Sequence, residues 1–119
     1  YGPAALRLND WSLTGPWRVT REHAALTAPG GRLTFRFKAR DLHLVMGPGQ
    51  GDAGVRFRVR IDGAAPGSDA GSDIDAQGQG RVDRQRLYQL IRQVGPVRER
   101  TFEIEFLDPG VQVFAFTFG

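Results

Sequence analysis

The sequence predicts an all-β fold, an antiparallel β-sandwich of the jelly-roll type. Three observations indicate this fold. Apolar and polar residues alternate along several segments, turns rich in glycine and proline separate these segments, and no segment has a convincing helical pattern. Alternation with a period of two residues is typical of a strand with one face in the core and one in water. We expect about eight or nine short strands, a number typical of sandwiches.

Four segments show the strictest alternation and are predicted as strands. In RLTFRFKA, Leu33, Phe35 and Phe37 share one face, and the residues between them are polar. The same pattern recurs in VRFRVRID, TFEIEFLD and VQVFAFTFG, so each of them should turn one apolar face to the core. The residues predicted to face inward in these three are Val55, Phe57, Val59 and Ile61, then Phe102, Ile104 and Phe106, then Phe114, Phe116 and Phe118.

Shorter and less regular segments complete the predicted strands. Residues 5–8, 16–20 and 42–46 are candidates, with turns at TGP, APGG and PGQGDAG. The segment RLYQLIRQ fits either a strand or a helix, but Gly80 and Gly95 bracket a span that suits a strand better, so we predict a strand. Strict alternation then places Arg86, Tyr88, Leu90 and Arg92 on one face, and Leu87, Gln89 and Ile91 on the other.

Length and composition limit the possible classes of protein. A chain of 119 residues is near the size of one domain, and we expect a single domain over residues 1–119, with residues 1–10 as a candidate linker. The first residue is tyrosine rather than methionine, which suggests a piece of a longer protein. No apolar run is long enough to span a bilayer, so we expect no membrane insertion by this fragment. The net charge is only +3, and arginines alternate with acidic residues, which argues against nucleic-acid binding.

Motifs for catalysis and nucleotide binding find little support. The segment GQGDAG matches a dinucleotide-binding pattern, but a strand follows it instead of the required helix. The chain has no cysteine, which excludes a thiolate nucleophile and a cysteine metal site. His23 and His43 have no third ligand at a zinc-like spacing, and no nucleophile elbow is present. We therefore predict no catalytic residues and no enzyme activity for this fragment.

The segment PGSDAGSDIDAQGQG, residues 66–80, forms what we call the acidic loop. Asp73 and Asp75 fit the first half of a helical calcium loop, but Arg84 stands where that loop needs a bidentate glutamate. A calcium site of another kind, using Asp69, Asp73 and Asp75, stays open. The simpler interpretation is that these aspartates accept backbone N–H bonds or pair with arginine. Apart from calcium we predict no cofactor.

Arginines and aromatic rings are the remaining candidates for ligand contacts. Arg56, Arg58 and Arg60 share one strand face and could attract polyanions, but pairing with glutamates across the sheet, Glu103 and Glu105, is the stronger interpretation. Aromatic rings can stack on sugar rings, although burial is the default for each of them. The candidates are Trp11, Trp17 and Tyr88, of which Tyr88 is the strongest because it shares a predicted face with two arginines.

Several long motifs, in order along the chain, resemble one family. They are LNDWSLTGPW, DLHLVMGP, FRVRIDGAAPG, SDIDAQGQG, RLYQLIRQ, RTFEIEFLDPGV and FAFTFG. Together they cover almost the whole chain, and they resemble the C-terminal domain of DipZ-type thiol:disulfide interchange proteins. In that family a membrane-embedded electron-transfer region, related to cytochrome c biogenesis proteins, precedes an extracytoplasmic thioredoxin-like domain. A β-sandwich similar to a carbohydrate-binding module follows.

The resemblance implies a non-catalytic accessory domain, located in the periplasm or otherwise outside the cytoplasm. It would be tethered to the membrane through a parent thiol:disulfide oxidoreductase. Its implied partners are a saccharide or cell-envelope glycan and the upstream thioredoxin-like domain. Members of the family often have a histidine where this chain has Ala70, so a histidine-containing site is not expected here. The alternative function is a structural or protein-interaction module that orients the thioredoxin-like domain or its substrates.

We expect the saccharide to bind where the acidic loop meets the strand that contains Tyr88. Carboxylates and guanidinium groups can each make two directed hydrogen bonds to adjacent hydroxyls, and a tyrosine ring can cover the apolar face of a sugar. The predicted ligand-binding residues are Asp73, Asp75, Arg86, Tyr88, Arg92, Arg58 and Trp17.

Overall fold

The computed structural model describes residues 10–20, 23–28, 30–49 and 54–118. The strand candidate at residues 5–8 and nearly all of the candidate linker lie outside the described residues, as does the middle of the turn PGQGDAG. Within the part of the chain that the structure describes, no helix is long and apolar enough to cross a membrane.

Ten strands and one short 3₁₀ helix make up the described chain. The strands are β1 (Trp11–Thr14), β2 (Trp17–Val19), β3 (Ala24–Leu26), β4 (Arg32–Phe37), β5 (Asp41–Gly47), β6 (Val55–Ile61), β7 (Gln79–Val82), β8 (Arg86–Arg92), β9 (Arg100–Phe106) and β10 (Gln112–Phe118). The 3₁₀ helix, Gly67–Asp69, opens the acidic loop between β6 and β7. Three of these strands, β1, β3 and β7, have too few residues for an alternating pattern and were not predicted.

The strands form two five-stranded sheets with antiparallel pairing. Sheet A has the strand order β1-β4-β9-β6-β7, and sheet B has the order β2-β3-β10-β5-β8. The two apolar faces pack on each other, and the buried residues of both sheets join in one hydrophobic core. The predicted antiparallel sandwich is confirmed.

Alternating strands in sheet A build most of the core. Phe37 of β4, Phe57 of β6 and Phe102 of β9 are completely buried. The other residues predicted to face inward in β6 and β9 are at most 3% exposed. The residues between them lie on the outer face of sheet A, where Thr34 is buried and arginines lie opposite glutamates in register. Burial of large side chains at every second position is the main source of stability for this arrangement.

An irregularity in β8 overturns one predicted strand face. The pairing with β5 skips Leu90, since Gln89 lies opposite His43 and Ile91 lies opposite Leu42. Both Leu90 and Ile91 are buried as a result. An extra residue of this kind, a β-bulge, reverses the alternation beyond it. Arg92 therefore points outward, whereas Arg86 and Tyr88 are in phase with the inward residues of β5, and the prediction of one common face is wrong.

A second irregularity lies in β10. Its register with β5 shifts between Val113 and Ala115, so Phe114 has no direct partner. Phe116 and Phe118 lie on the predicted inward side, and both rings stack on Phe35 of the opposite sheet, at 4.4 and 5.8 Å between centroids. Phe118, at the end of the strand, is nevertheless 48% exposed. Phe114 does not share that face. Its ring lies against His23 instead, with 5.3 Å between the ring centroids.

Candidate functional site

The acidic loop is fixed to the sandwich by its own carboxylates. Asp69 accepts a hydrogen bond from the backbone N–H of Val94 at 3.0 Å and another from Arg100 at 3.4 Å. Arg100 also binds Asp62, with 2.6 Å between its Nε and the carboxylate. These contacts join the start of the acidic loop to the β6 turn and to the segment between β8 and β9. The loop is therefore an ordered part of the domain and not a linker.

Asp73 connects the centre of the acidic loop to β8. One carboxylate oxygen lies 2.9 Å from Nη2 of Arg86, and the other accepts the backbone N–H of Gln89 at 2.6 Å. Partial burial raises the pKa of this carboxyl, but the bonds from Arg86 and Gln89 outweigh that effect and hold the pKa below its ordinary value. Asp73 therefore stays ionised and anchors the loop at neutral pH.

Replacing Asp73 with asparagine should make the free energy of unfolding depend less on pH in the acid range. A carboxyl whose folded pKa is depressed stabilises the fold above its unfolded pKa of about 4, and this contribution disappears as the pH falls through the folded value. We expect Asp73→Asn to lower the free energy of unfolding by about 2 kcal/mol at pH 7. The free energy of unfolding of the variant should also fall less steeply than that of the wild type as the pH is lowered.

Urea unfolding of the wild type and the variant from pH 2 to pH 7 measures both effects. Glu99→Gln is the matched control, because Glu99 forms an ion pair with Arg36 that is substantially exposed and should contribute little. Parallel stability curves for Asp73→Asn and the wild type would contradict the assigned role of Asp73.

Asp75 shapes the end of the acidic loop. Its Oδ1 accepts the backbone N–H groups of Gln77 and Gln79, at 3.0 and 2.9 Å. The backbone of Gly78, between them, lies against β6, where its carbonyl accepts the N–H of Val59 at 2.7 Å. These bonds set the turn and hold the two glutamine side chains beside β6.

The structure does not bring the three candidate calcium ligands together. The three candidate carboxylates, Asp69, Asp73 and Asp75, bind donors in three different parts of the domain. Among the described residues, no group of three histidine or acidic side chains is placed to hold a metal ion. The acidic loop therefore uses its carboxylates as hydrogen-bond acceptors for the protein itself.

Tyr88 is not a surface platform for a ligand, and the prediction of an exposed ring is wrong. The side chain is completely buried. Its hydroxyl lies 2.7 Å from the carbonyl of Arg84 and accepts the N–H groups of Asp83 and Arg84 at 3.2 and 3.3 Å. The guanidinium of Arg86 covers the ring at 3.9 Å from its centroid. The ring is a core residue that fixes the β7–β8 turn.

The other predicted ligand residues are dispersed. Arg86 is engaged by Asp73, and Arg92 extends from the outer face of sheet B with its Nε 4.0 Å from Asp41. The Trp17 ring packs edge-on against Phe106 at 5.8 Å, and its Nε1 donates to the carbonyl of Thr14 at 3.0 Å. Arg58 lies on the outer face of sheet A. The structure does not bring these residues into one site.

An apolar cavity lies elsewhere, at the side of the sandwich between β1 of sheet A and β2, β3 and β10 of sheet B. It has a volume of about 290 Å³ and is open to solvent. We call it the side cleft; among its lining residues are Trp11, Val19, Thr20, His23 and Phe114. Aromatic walls with a few polar groups are typical of small-molecule sites.

Three aromatic side chains give the side cleft its chemistry. Trp11, the first residue of β1, is 54% exposed. His23 and Phe114 form the opposite wall, and the irregularity in β10 is what turns Phe114 toward His23. Sequence reasoning considered Trp11 as a stacking ring and His23 only as a zinc ligand. It did not join them, because the cleft depends on a register shift that the alternating sequence of β10 conceals.

A family model described as a thioredoxin-like C-terminal domain matches residues 1–119. The chain belongs to this family. The match agrees with the resemblance to the C-terminal domain of DipZ-type proteins. No curated protein sequence matches the chain.

Several solved structures share the sandwich of this thioredoxin-like C-terminal domain. A family two carbohydrate esterase from Clostridium thermocellum, in complex with cellohexaose, superposes with a TM-score of 0.68 at 13% identity over 92% of this chain. A family two esterase from Cellvibrio japonicus gives 0.67 at 15% identity over 89%, and an acetyl xylan esterase from the rumen bacterium Butyrivibrio proteoclasticus gives 0.69 at 10% over 92%. The chain spans 29 to 31% of the length of these proteins. At such identities the likeness establishes the fold alone.

Proposed function

We propose that this chain is a non-catalytic, extracytoplasmic accessory domain of a DipZ-like thiol:disulfide interchange protein, and that it binds a carbohydrate in the side cleft. Membership of the thioredoxin-like C-terminal domain family supports the accessory role, because the redox cysteines of such a protein would lie in its thioredoxin-like domain and this chain has none. The parent protein would be the thiol:disulfide oxidoreductase, and it would tether the domain to the membrane. The partner would be a saccharide of the cell envelope.

The exposed indole of Trp11 is the observation on which the carbohydrate proposal rests. An indole offers a large, rigid apolar surface, and the C–H face of a pyranose ring can pack on it at low entropic cost. Across the cleft, no ring nitrogen of His23 has a hydrogen-bond partner among the described residues, so the imidazole is available to sugar hydroxyls as donor and acceptor. Apolar stacking on one wall and directed polar contacts on the other suit a neutral sugar.

The fold gives secondary support to this proposal. The same type of sandwich occurs in esterases that act on carbohydrates, and one of them was solved with cellohexaose. Fold similarity alone is a weak argument for function, because sandwiches serve many purposes. The proposal therefore rests on the cleft. The ring of Tyr88 is buried and cannot stack on a sugar.

Trp11→Ala should weaken saccharide binding by at least about 10-fold, because a central exposed aromatic usually contributes most of the binding energy. A glycan array of cell-envelope and plant oligosaccharides, including cellohexaose, identifies a ligand for the wild type. Isothermal titration calorimetry then compares the variant with Phe118→Ala, which removes another ring with 48% exposure outside the cleft. Absence of any saccharide binding, or equal losses in the two folded variants, would contradict the proposal.

A protein-interaction role is the second candidate, and one surface favours it. Leu87, Val45 and Ala115 lie side by side across β8, β5 and β10 on the outer face of sheet B, and Leu87 is 38% exposed. An apolar row on a solvent face is a feature of contact surfaces. If the thioredoxin-like domain of the parent protein binds this domain, Leu87→Asp should abolish that binding and leave saccharide binding by Trp11 unchanged.

A further inference from the structure

A second surface, far from the side cleft, has the chemistry of an anion site. It is a groove on the outer face of sheet A, beside the end of the acidic loop, with a volume of about 280 Å³. Its lining residues are Arg58, Arg60, Ala65, Gln77 and Gln79, and we call it the polar groove. β6 supplies the two arginines, the turn before β7 supplies Gln77, and the first residue of β7 is Gln79. Every polar side chain in it can donate hydrogen bonds.

The arginines of β6 differ in how many hydrogen bonds and ion pairs their guanidinium groups make within the protein. Arg56 is held by Asp108 through its Nε and Nη2, at 2.9 and 2.8 Å. Arg60 lies 3.6 Å from Glu103, beyond good hydrogen-bond length. Arg58 lies opposite Glu105 in register, but the ion pair of Glu105 is with Arg32.

Arg58 consequently makes no hydrogen bond or ion pair with any of the described residues, although its side chain is half-buried. Arginine is rarely withdrawn from water without a partner, because loss of hydration is costly for a charged group. Sheet A has only Glu105 and Glu103 in register with β6 here, and each is already engaged by another arginine. The groove thus keeps one unsatisfied guanidinium beside one that is only weakly paired.

The acidic loop fixes the other two donors in place. Asp75 holds the backbone of Gln77 and Gln79, and Gly78 lies directly on β6. Neither glutamine side chain has a hydrogen-bond partner among the described residues, so both carboxamides are available. A receptor whose backbone is already ordered loses little entropy when a ligand binds.

We propose that the polar groove binds an oxyanion, either a carboxylate or a phosphate group. Forked guanidinium donors match the paired oxygens of such groups, and the two carboxamides can complete the shell or bind neighbouring hydroxyls. Among the described residues, no acidic side chain lines the groove to compete for Arg58. Since it shares no residue with the side cleft, this site is independent of the proposed saccharide site.

NMR titration of the intact domain tests this proposal. The probes are D-glucuronate, D-glucose 6-phosphate, inorganic phosphate and, as the uncharged control, D-glucose. We expect the Nε–H signal of Arg58 and the side-chain amides of Gln77 and Gln79 to shift with at least one anion, and to respond less as ionic strength rises. Shifts with inorganic phosphate would identify phosphate as the recognised group, and shifts with glucuronate alone would identify carboxylate. No shift with any anion, or equal shifts with glucose, would overturn the proposal.

Matched arginine variants complete the test. Arg58→Gln should weaken binding of the responding anion by at least about 10-fold, whereas Arg56→Gln removes the same charge from the same strand face but should change the affinity by less than about 2-fold. Thermal melts confirm that both variants are folded. Equal losses in the two variants would mean that only the general positive field attracts the anion, and this would overturn the assignment of a site. Trp11→Ala should leave anion binding unchanged. The proposal for the polar groove can therefore be wrong while the proposal for the side cleft holds, and the reverse.

Discussion

Replacing Tyr88 with alanine should lower the free energy of unfolding by about 4 kcal/mol, the range typical of a completely buried aromatic side chain. The ring fills space between the sheets, and its hydroxyl serves the N–H groups of Asp83 and Arg84 and the carbonyl of Arg84. Truncation removes the packing and leaves these groups without their partner. Urea unfolding monitored by circular dichroism measures the loss, and a marginally stable domain would be largely unfolded.

Tyr88→Phe separates the two contributions. It keeps the ring and the cation–π contact with Arg86 but removes the hydroxyl, so we expect a loss of about 1 to 2 kcal/mol. Loss of the β7–β8 turn should appear as faster amide exchange at Asp83 and Arg84. If Tyr88→Phe were as destabilising as Tyr88→Ala, the ring packing would contribute nothing, contrary to its burial.

The sandwich could be predicted from sequence because its central strands follow a strict rule. Phe57 in β6 and Phe102 in β9 alternate with polar or charged residues, and a period of two residues leaves only one choice of inward face. Burial of these rings then fixes how the sheets face each other. Short strands such as β3, with three residues, contain too little pattern to be recognised.

The register shifts could not be predicted in the same way. RLYQLIRQ has apolar residues at positions that fit either face, and only the pairing with β5 decides that Leu90 is the extra residue. That one residue moves Arg92 to the opposite face from Tyr88 and removes the predicted site. In β10 the same kind of shift turns Phe114 toward His23 and helps to create a cleft. The energy of a bulge depends on contacts with distant strands, which local sequence does not contain.

For charged side chains, the sequence predicts the kind of partner but not which residue the partner is. Acidic side chains were expected to hold arginines or backbone donors, and Asp73 does both, through Arg86 and the backbone of Gln89. Cross-strand pairing was expected for the arginines of β6. Arg58 departs from it because Glu105 lies between two arginines in register and pairs with the other one, Arg32. Competition of this kind is decided by geometry and not by composition.

Gly78→Ala should cost about 3 kcal/mol or more of unfolding free energy. Gly78 has a φ of +86°, a conformation that an L side chain rarely adopts, and an added Cβ would overlap the backbone carbonyl of Val59 in β6. That carbonyl belongs to a central strand and cannot move without disturbing the sheet. The loop end would therefore have to separate from β6, breaking the hydrogen bond between Val59 N–H and the Gly78 carbonyl.

Gly63→Ala is the matched control, because Gly63 has nearly the same φ, +82°, in the Asp62–Gly63 turn, and an added Cβ there meets no atom within 4 Å. It should lose only about 1 kcal/mol, the cost of the left-handed conformation itself. The difference between the two variants isolates the contact of the acidic loop with β6. Since that contact places Gln77 and Gln79 beside Arg58, folded Gly78→Ala protein should also lose anion binding, which Gly63→Ala retains. Equal stability losses would mean that the loop end does not press on β6, and the acidic loop could not then order the polar groove.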